Sequence, residues 1–219
     1  MNLLVVESCV FTRLGINSFL LENEKINILD CDNITQAMQE IPAFQPDLIL
    51  INATTYCQHS EFSQQLQQFI DLVQNVKMFC YVDAQYPVTD VPISVTRDVF
   101  ILNKQLVTSL LKSIVTHSGN YFSSSMTYIS RSIFSDQEIL VMNYWMSEMP
   151  NYRIARKLEI SSRTVYVHKR HLAQKIKVRN RLEFCFIYNF IKYLFWPIDQ
   201  LSRAPLSRQA KEEILTLYK

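Results

Sequence analysis

The sequence contains very little glycine, with Gly15 and Gly119 the two glycines among 219 residues. Loops that hold phosphate groups need several glycines close together, because backbone N–H groups must approach the ligand without an intervening side chain. A Walker loop, a dinucleotide-binding G-x-G-x-x-G turn and a kinase glycine loop are therefore excluded. No nucleophile, base and orienting group converge in the sequence either, so we predict that the protein is not an enzyme.

Paired cysteines, metal-binding clusters and long hydrophobic runs are also missing. The five cysteines are an odd number and are spread through apolar stretches, which is typical of reduced core residues in a cytosolic protein. None of the four histidines joins a cysteine pair at zinc-finger spacing, so we predict no metal and no other cofactor. The N-terminus lacks the basic start of a signal peptide, and the apolar stretch 184–198 is shorter than a membrane span of about 20 residues. We therefore expect a cytoplasmic protein without a membrane segment.

Charge is distributed unevenly along the chain. Residues 1–133 contain 7 Lys or Arg and 12 Asp or Glu, whereas residues 134–219 contain 15 and 8, so a half with net charge −5 precedes a half with net charge +7. From Asn151 to Arg181 there are 10 basic residues and a single acid, Glu159. An ordinary solvated face mixes charges of both signs, so this block indicates contact with an anionic polymer. A basic helix surface that only maintains solubility is the alternative.

The first half alternates short apolar runs with helical patterns. Strands are expected at Leu3–Val6, Ile26–Leu29, Leu48–Ile51, Val76–Val82 and Val99–Leu102, and helices at Phe11–Leu20, Ile34–Ile41 (ending before Pro42), Phe62–Val73 and Leu106–Val115. Such alternation predicts an α/β domain with a doubly wound, five-stranded parallel sheet. Ligand chemistry in such sheets lies at the carboxyl ends of the strands.

The residues at those strand ends resemble the landmarks of response-regulator receiver domains. The segments VVES, PDLILIN and FILNK carry the resemblance. It implies that Glu7 and Ser8 stand at the Mg²⁺-binding acidic pair, Asn52 at the phosphoacceptor aspartate and Lys104 at the lysine that pairs with the phosphoryl group.

Asp83 falls where that family has its switching Ser or Thr. The amide of Asn52 cannot attack phosphorus as a carboxylate does, and the neutral Ser8 removes charge that Mg²⁺ requires. We therefore expect a receiver fold that no longer accepts phosphate, in which Lys104 pairs with Glu7 or Asp83. An unrelated doubly wound domain is the alternative.

The second half predicts a helix-turn-helix. Ser135 and Glu138 have the S-x-x-E form of a capping box that opens a helix, and a short helix from Asn151 to Leu158 is followed by a tight turn at Glu159-Ile160. Ser161-Ser162 would cap the next helix, which runs to about Ile176. Two short helices joined by a three-residue turn, the second with basic and polar side chains outward, are typical of DNA-binding proteins.

The run RIARKLEISSRTVYVHKRHLAQKIKVRNR resembles the LuxR-type (NarL/FixJ) DNA-binding domain, an all-α unit of four helices. Its hallmarks are the I-A-x-x-L helix, I-S-x-x-T-V, V-H, and the K-I-x-V-x-N-R ending. The chain departs from the pattern at Glu148, where the family usually has Gly, and at Arg153, where it usually has Glu. The first departure indicates a changed helix end.

Helical spacing divides the surface of the second of these helices. Val165, Leu172 and Ile176 recur at core spacing, so the opposite stripe faces outward. The resemblance places base contacts at Tyr166, Val167 and Arg170. The full set of predicted DNA-binding residues is Arg163, Thr164, Tyr166, Val167, Lys169, Arg170, Gln174, Lys175 and Lys177, with the lysines and Thr164 assigned to phosphates.

An aromatic-rich fourth helix is expected from Arg181 to about Phe195. It would form a dimer interface or pack against the tail. The domain organisation we predict is a pseudo-receiver domain at 1–116, a Ser-rich linker at 117–133, a helix-turn-helix domain at 134–196 and a tail, helical at least in part, at 197–219.

These features together predict a transcription regulator that binds double-stranded promoter DNA, with an activator as the expected type. The short receiver and the opening segment CVFTRLGINSFLL are similar to those of the RcsA-like auxiliary regulators. This resemblance implies a heterodimer with a related response regulator; a homodimer is the other possibility. Control would come from a partner, a ligand or abundance. A cyclic-dinucleotide-responsive biofilm or fimbrial regulator and a protein-interaction module with little DNA binding of its own are the alternatives.

Overall fold

The computed structural model describes residues 1–21, 24–116 and 132–195. The chain divides into two compact units. The first comprises Met1–Thr55 and Gln64–Ile133, and the second comprises Tyr56–Ser63 together with the chain from Phe134 onward. Residues 56–63 therefore leave the first unit and join the second, a division that the sequence does not indicate.

The first unit is built on a six-stranded sheet in the order β2-β1-β3-β4-β6-β5. Its strands are β1 (Asn2–Val6), β2 (Asn27–Cys31), β3 (Leu48–Asn52), β4 (Lys77–Val82), β5 (Ile93–Ser94) and β6 (Val99–Asn103). All neighbouring pairs are parallel except the antiparallel pair of β5 and β6. The mostly parallel α/β sheet is as predicted, but it has six strands because the two-residue β5 extends its edge. A strand of two residues is too short to produce a recognisable hydrophobic pattern.

Five helices belong to the first half of the chain: α1 (Val10–Leu20), α2 (Ile34–Phe44), α3 (Thr54–Gln58), α4 (Gln64–Leu72) and α5 (Val107–Thr116). The central strands are buried along nearly their whole length, since β1 and β3 show consecutive buried apolar residues rather than alternation. Continuous burial of this kind is expected for parallel strands covered on both faces. The core includes Leu3, Leu50, Phe79, Leu102 and Leu110.

Two helix boundaries in this half of the chain differ from the sequence prediction by two residues or more. Helix α2 continues through Pro42 to Phe44 and ends at Gln45, which adopts a left-handed conformation with φ 50°. A proline in the last turn forfeits mainly the one hydrogen bond that its own N–H would have made, so the helix need not stop before it. The predicted helix 62–73 begins only at Gln64, and α3 precedes it.

The second unit contains α6 (Asp136–Met146), α7 (Asn151–Leu158), α8 (Ser162–Lys175) and α9 (Arg181–Phe195). The predicted capping box is present, because the Ser135 and Glu138 side chains each bond the other residue's backbone N–H. Ser161 caps α8 by accepting a hydrogen bond from the Thr164 N–H. The turn between α7 and α8 passes through Glu159 at φ 54°. The predicted helix-turn-helix is therefore observed with the expected boundaries.

Helix α6 buries four apolar side chains, those of Ile139, Val141, Met142 and Met146. Tyr144 and Trp145 are only half-buried. Trp145 stacks on the Phe184 ring at a centroid distance of 4.9 Å.

Helix α9 packs against residues 57–63 within the second unit. The Asn189 amide donates to the Cys57 carbonyl at 2.9 Å, and the Lys192 ammonium donates to the Ser60 carbonyl at 2.8 Å. The Tyr193 hydroxyl accepts from the Ser63 N–H at 2.7 Å. Burial lowers the pKa of Lys192 to about 8. Along α9, Leu182 is the large apolar side chain that stays exposed, and the aromatic side chains are buried or half-buried.

The predicted tail at 197–219 and most of the predicted linker at 117–133, including Gly119, lie outside the described residues. Within the described ranges, no helix is both long enough and apolar enough to cross a membrane.

The end of α6 explains why glycine is usual at the position of Glu148. Glu148 has φ 61°, in the left-handed region where a Cβ atom is disfavoured. We expect Glu148→Gly to raise the free energy of unfolding of the second unit by roughly 0.5–1 kcal/mol, because the strain is removed. Urea unfolding followed by tryptophan fluorescence measures this, since Trp145 and Trp196 both follow residue 133.

Glu148→Ala is the matched control, because it removes the same carboxylate but keeps a Cβ atom in the left-handed region. Equal stability changes for the glycine and alanine variants would contradict the backbone explanation.

Candidate nucleic-acid interface and degenerate receiver pocket

The strand register brings the receiver-like residues together at the carboxyl edge of the sheet. Val6 lies opposite Ile51, so Glu7 follows β1 next to Asn52 at the end of β3. Asn52 in turn lies opposite Tyr81 of β4. The predicted grouping of strand-end side chains is therefore observed for Glu7 and Asn52, with Tyr81 as an added member.

Glu7 is the centre of this pocket and is 1% exposed. The Asn52 amide donates to its two carboxylate oxygens at 3.2 and 2.9 Å, and the Cys9 N–H donates to Oε1 at 2.7 Å. The Tyr81 hydroxyl donates to Oε2. A buried carboxylate is stable only when such donors satisfy it, and here they come from two strands and the loop after β1.

Lys104 pairs with Asp83 rather than with Glu7. Its ammonium lies 2.6 Å from Asp83 Oδ2, and this hydrogen bond raises the pKa of Lys104. The Asp83 N–H donates to the Thr54 hydroxyl at 2.8 Å, which ties the end of β4 to the start of α3. Both charged side chains are about half exposed, so the pair positions the loop more than it stabilises the fold.

The pocket does not fit a Mg²⁺ site of the receiver type. Ser8 is exposed and neutral, and Asn52 donates to Glu7 instead of offering a carboxylate. The oxygens of Glu7 already accept hydrogen bonds from the protein. A hard divalent ion needs several anionic oxygens that are free to turn towards it.

In the second unit, the face of α8 that was predicted to be internal is fully buried. Val165, Leu172 and Ile176 are each 0% exposed. This burial fixes the rotation of α8 and directs the opposite stripe to solvent. Arg163, Tyr166, Val167, Arg170 and Gln174 are exposed along that stripe, and Lys177 is exposed just beyond the helix. Tyr166 is the most open of its apolar members, at 63%.

Three of the side chains predicted to contact phosphates instead bond other side chains of the second unit. The Lys169 ammonium donates to the Asn151 side chain at 2.6 Å and lies 5.3 Å from the centroid of the Trp145 ring. Burial, with a smaller contribution from the charge of Arg181, lowers the pKa of Lys169. The Thr164 hydroxyl is 2.8 Å from the Ser161 hydroxyl at the helix cap. These side chains support the geometry of α7 and α8.

Lys175 forms the third such bond, an ion pair with Glu138 at 2.6 Å. The Glu138 side chain is 5% exposed and also completes the capping box of α6. Burial by itself would raise the pKa of Glu138, but hydrogen bonds from Lys175 and Ser135 outweigh it and keep that pKa below its usual value. Lys175 therefore joins α8 to the start of α6.

The sequence prediction missed Tyr81 as the partner of Glu7 and Asn151 as the partner of Lys169. Tyr81 appeared only as part of an apolar strand, and Asn151 only as a helix start. Their partners are 74 and 18 residues away in the chain, so no local pattern marks the pairing. The one available signal for Tyr81 was a hydroxyl within a strand expected to be fully buried, where such a group requires a hydrogen-bond partner.

A receiver-like sheet with a degenerate pocket, followed by a basic helix-turn-helix, defines the class of LuxR-type transcription regulators. Two family models match the chain: "Transcriptional regulator RcsA, N-terminal dimerisation domain" over residues 2–126, and "Bacterial regulatory proteins, luxR family" over residues 132–187. The chain belongs to the RcsA family of transcriptional regulators. It is accordingly a DNA-binding transcription regulator with a LuxR-type helix-turn-helix.

Curated relatives resemble the chain over most of its length. The transcriptional regulatory protein RcsA of Pantoea stewartii subsp. stewartii is 23% identical over 189 residues, covering 83% of this chain and 90% of the relative. The transcriptional regulatory protein EntR of Citrobacter freundii is 22% identical over 188 residues, covering 83% and 94%. All of these relatives bear the names of transcriptional regulators rather than enzymes.

Among solved structures, RcsB from Salmonella enterica serovar Typhimurium bound to promoter rprA in the presence of phosphomimetic BeF₃⁻ is 16% identical. It aligns with 87% of this chain and 98% of its own, at a TM-score of 0.48. The fold of the present chain is assigned from its own strands and helices and not from this similarity.

We expect Lys175→Ala to lower the free energy of unfolding of the second unit by about 2 kcal/mol at neutral pH, because Glu138 loses its buried partner. The pKa of Glu138 is depressed in the folded protein, so its stabilisation is present above the ordinary carboxyl pKa and is lost as pH falls. The difference between the two proteins should therefore shrink in acid.

Urea unfolding at neutral and acidic pH, followed by tryptophan fluorescence, checks this. Lys177→Ala is the matched control, since Lys177 is exposed and should leave stability unchanged. Equal effects of the two substitutions would contradict a structural role for Lys175.

Proposed function

We propose that the protein binds promoter DNA by placing the exposed stripe of α8 in the major groove. The observation that carries this proposal is the exposure of Tyr166, Val167 and Arg170 opposite a fully buried core face. A helix fixed in this way can present its side chains to base edges without rearranging. Arg170 suits a bidentate hydrogen bond to guanine, and Val167 suits contact with a thymine methyl group.

We assign phosphate contacts only to basic side chains that the fold leaves exposed. Arg163 and Lys177 are exposed, and we assign them to the DNA backbone, where they add affinity and orientation but little sequence information. Gln174 is exposed one turn from Arg170 and can contact either a base or the backbone. Lys169, Lys175 and Thr164 contribute to DNA binding mainly by holding the helices in place.

We further propose that the receiver-like unit acts through dimerisation and not through phosphorylation. The description of the matching family model as a dimerisation domain supports the first part. The amide at position 52 and the bonds that occupy Glu7 support the second. The partner is a second copy of the chain or a related response regulator, and the promoter is the site of action.

The cyclic-dinucleotide alternative gains no support from Arg13. Its guanidinium bonds the Glu7 carbonyl at 2.6 Å and pairs with Asp30 at 3.2 Å and with Asp32. An arginine held in this way is not available to stack on a nucleobase.

We expect Arg170→Ala to weaken binding to the cognate promoter by about 1–3 kcal/mol and to relax selectivity at one base pair, because a bidentate contact to guanine is lost. Footprinting and equilibrium binding on promoter fragments with single-base changes measure both effects. Arg97→Ala is the matched control, since it removes the same charge from an exposed position in the first unit. Unchanged protection by the Arg170 variant would refute the groove assignment.

Incubation with a small phosphoryl donor such as acetyl phosphate should leave the mass of the intact protein unchanged, because no carboxylate stands at position 52. Mass spectrometry of the whole protein measures this. A phosphorylatable response regulator incubated in parallel confirms that the donor is active. A gain of one phosphoryl group within residues 1–116 would contradict the proposed loss of phosphate control.

A further inference from the structure

The outer side of α1, with its C-cap residue Leu21, carries an apolar surface that no described residue of the first unit covers. Its members are Val10, Phe11, Leu14 and Leu21, which are 53%, 85%, 57% and 75% exposed. At 100° per residue these four positions fall within about a third of the helix circumference. We call this set the α1 face.

Gly15 lies at the border of the α1 face, one turn after Phe11. A Cβ atom added at Gly15 would meet nothing within 4 Å, and its backbone is ordinary helix. Glycine inside a helix is less stable than alanine, so the fold of the single chain gives no reason for it here. A bare backbone beside large apolar side chains allows a second helix to approach closely.

The α1 face is also uncharged. Arg13 is the one charged residue of α1, and it turns inward to Asp30 and Asp32, so its side chain is only 13% exposed. The surrounding half of the chain, residues 1–133, has a net charge of −5. Two copies of this half repel each other because both are negatively charged. The electrostatic cost of their association is lowest where the contact surface carries no charge, as on the α1 face.

The exposed apolar area of the α1 face is a substantial part of what a dimer contact needs. With full side-chain exposures of about 150–200 Å² each, the four residues present roughly 450 Å² of apolar surface. This is more than half of the ~800 Å² that each partner buries in a specific interface of standard size. It also falls within the range of roughly 300–600 Å² of the largest apolar patch on a typical monomer, a patch that is often functional.

We propose that the α1 face is the contact through which two copies of this chain dimerise, with Phe11 and Leu14 of each copy packing over Gly15 of the other. The family model that covers residues 2–126 is described as a dimerisation domain but assigns no surface to that role. Helix α9 buries most of its aromatic side chains and is not the contact. The inference extends the proposed dimerisation and does not depend on how α8 meets DNA.

Sedimentation velocity of the full chain without DNA, over a wide range of concentrations, tests the proposal. The unmodified chain should show a concentration-dependent dimer, and the double substitution Phe11→Glu/Leu14→Glu should weaken dimerisation at least about tenfold. Val91→Glu is the matched control, because it adds the same charge at an exposed apolar position of the first unit outside α1. Circular dichroism establishes that each variant is folded.

Gly15→Gln supplies an independent readout. The space around Gly15 is open in the single chain, so this variant should keep or improve thermal stability as a monomer while losing the dimer. A dimer that survives the α1 substitutions would overturn the proposal. An unmodified chain that stays monomeric and forms a complex only with a related response regulator would overturn it too, while leaving the DNA-binding proposal intact.

Discussion

The receiver-like unit depends on satisfying one buried negative charge, the carboxylate of Glu7. A buried ionised carboxylate is costly unless donors surround it, and the sheet provides them by register, with Asn52 at the end of β3 and Tyr81 beside it on β4. The amide that abolishes phosphate chemistry is therefore also a structural donor. The same side chain is thus unable to attack phosphorus and donates to Glu7 in the pocket.

The DNA-facing unit shows a comparable division among its basic residues. A dense cluster of positive charge looks uniform in the sequence, but the fold assigns Lys169 and Lys175 to internal partners and leaves Arg163, Arg170 and Lys177 exposed. The internal lysines join α8 to α6 and to the start of α7. In the proposed function, the orientation of α8 and the attraction to the DNA backbone are thus assigned to different cations of one block.

Elements that are set by interactions between neighbouring residues were predicted closely from the sequence, and elements that are set by distant residues were not. Helices α7 and α8 and their caps are set by neighbouring residues, and their boundaries were predicted closely. The last turn of α2 passed through Pro42, because tertiary packing can outweigh a local helix breaker near a helix end. Residues 56–63 belong to the second unit through bonds to α9 that span more than 130 positions, and no local pattern could reveal them.

The sequence by itself determined the class of protein, since hydrophobic periodicity, the strand-end residues and the LuxR-type motif are all local. It also determined that position 52 cannot accept phosphate, because that follows from the chemistry of an amide. Only the tertiary structure decided that Lys104 meets Asp83, that Lys175 meets Glu138, and that α1 rather than α9 carries the open apolar face. Which side chains form ion pairs, and which apolar side chains stay exposed, depends on which distant segments pack together in the fold. A local sequence pattern carries no information about such distant contacts.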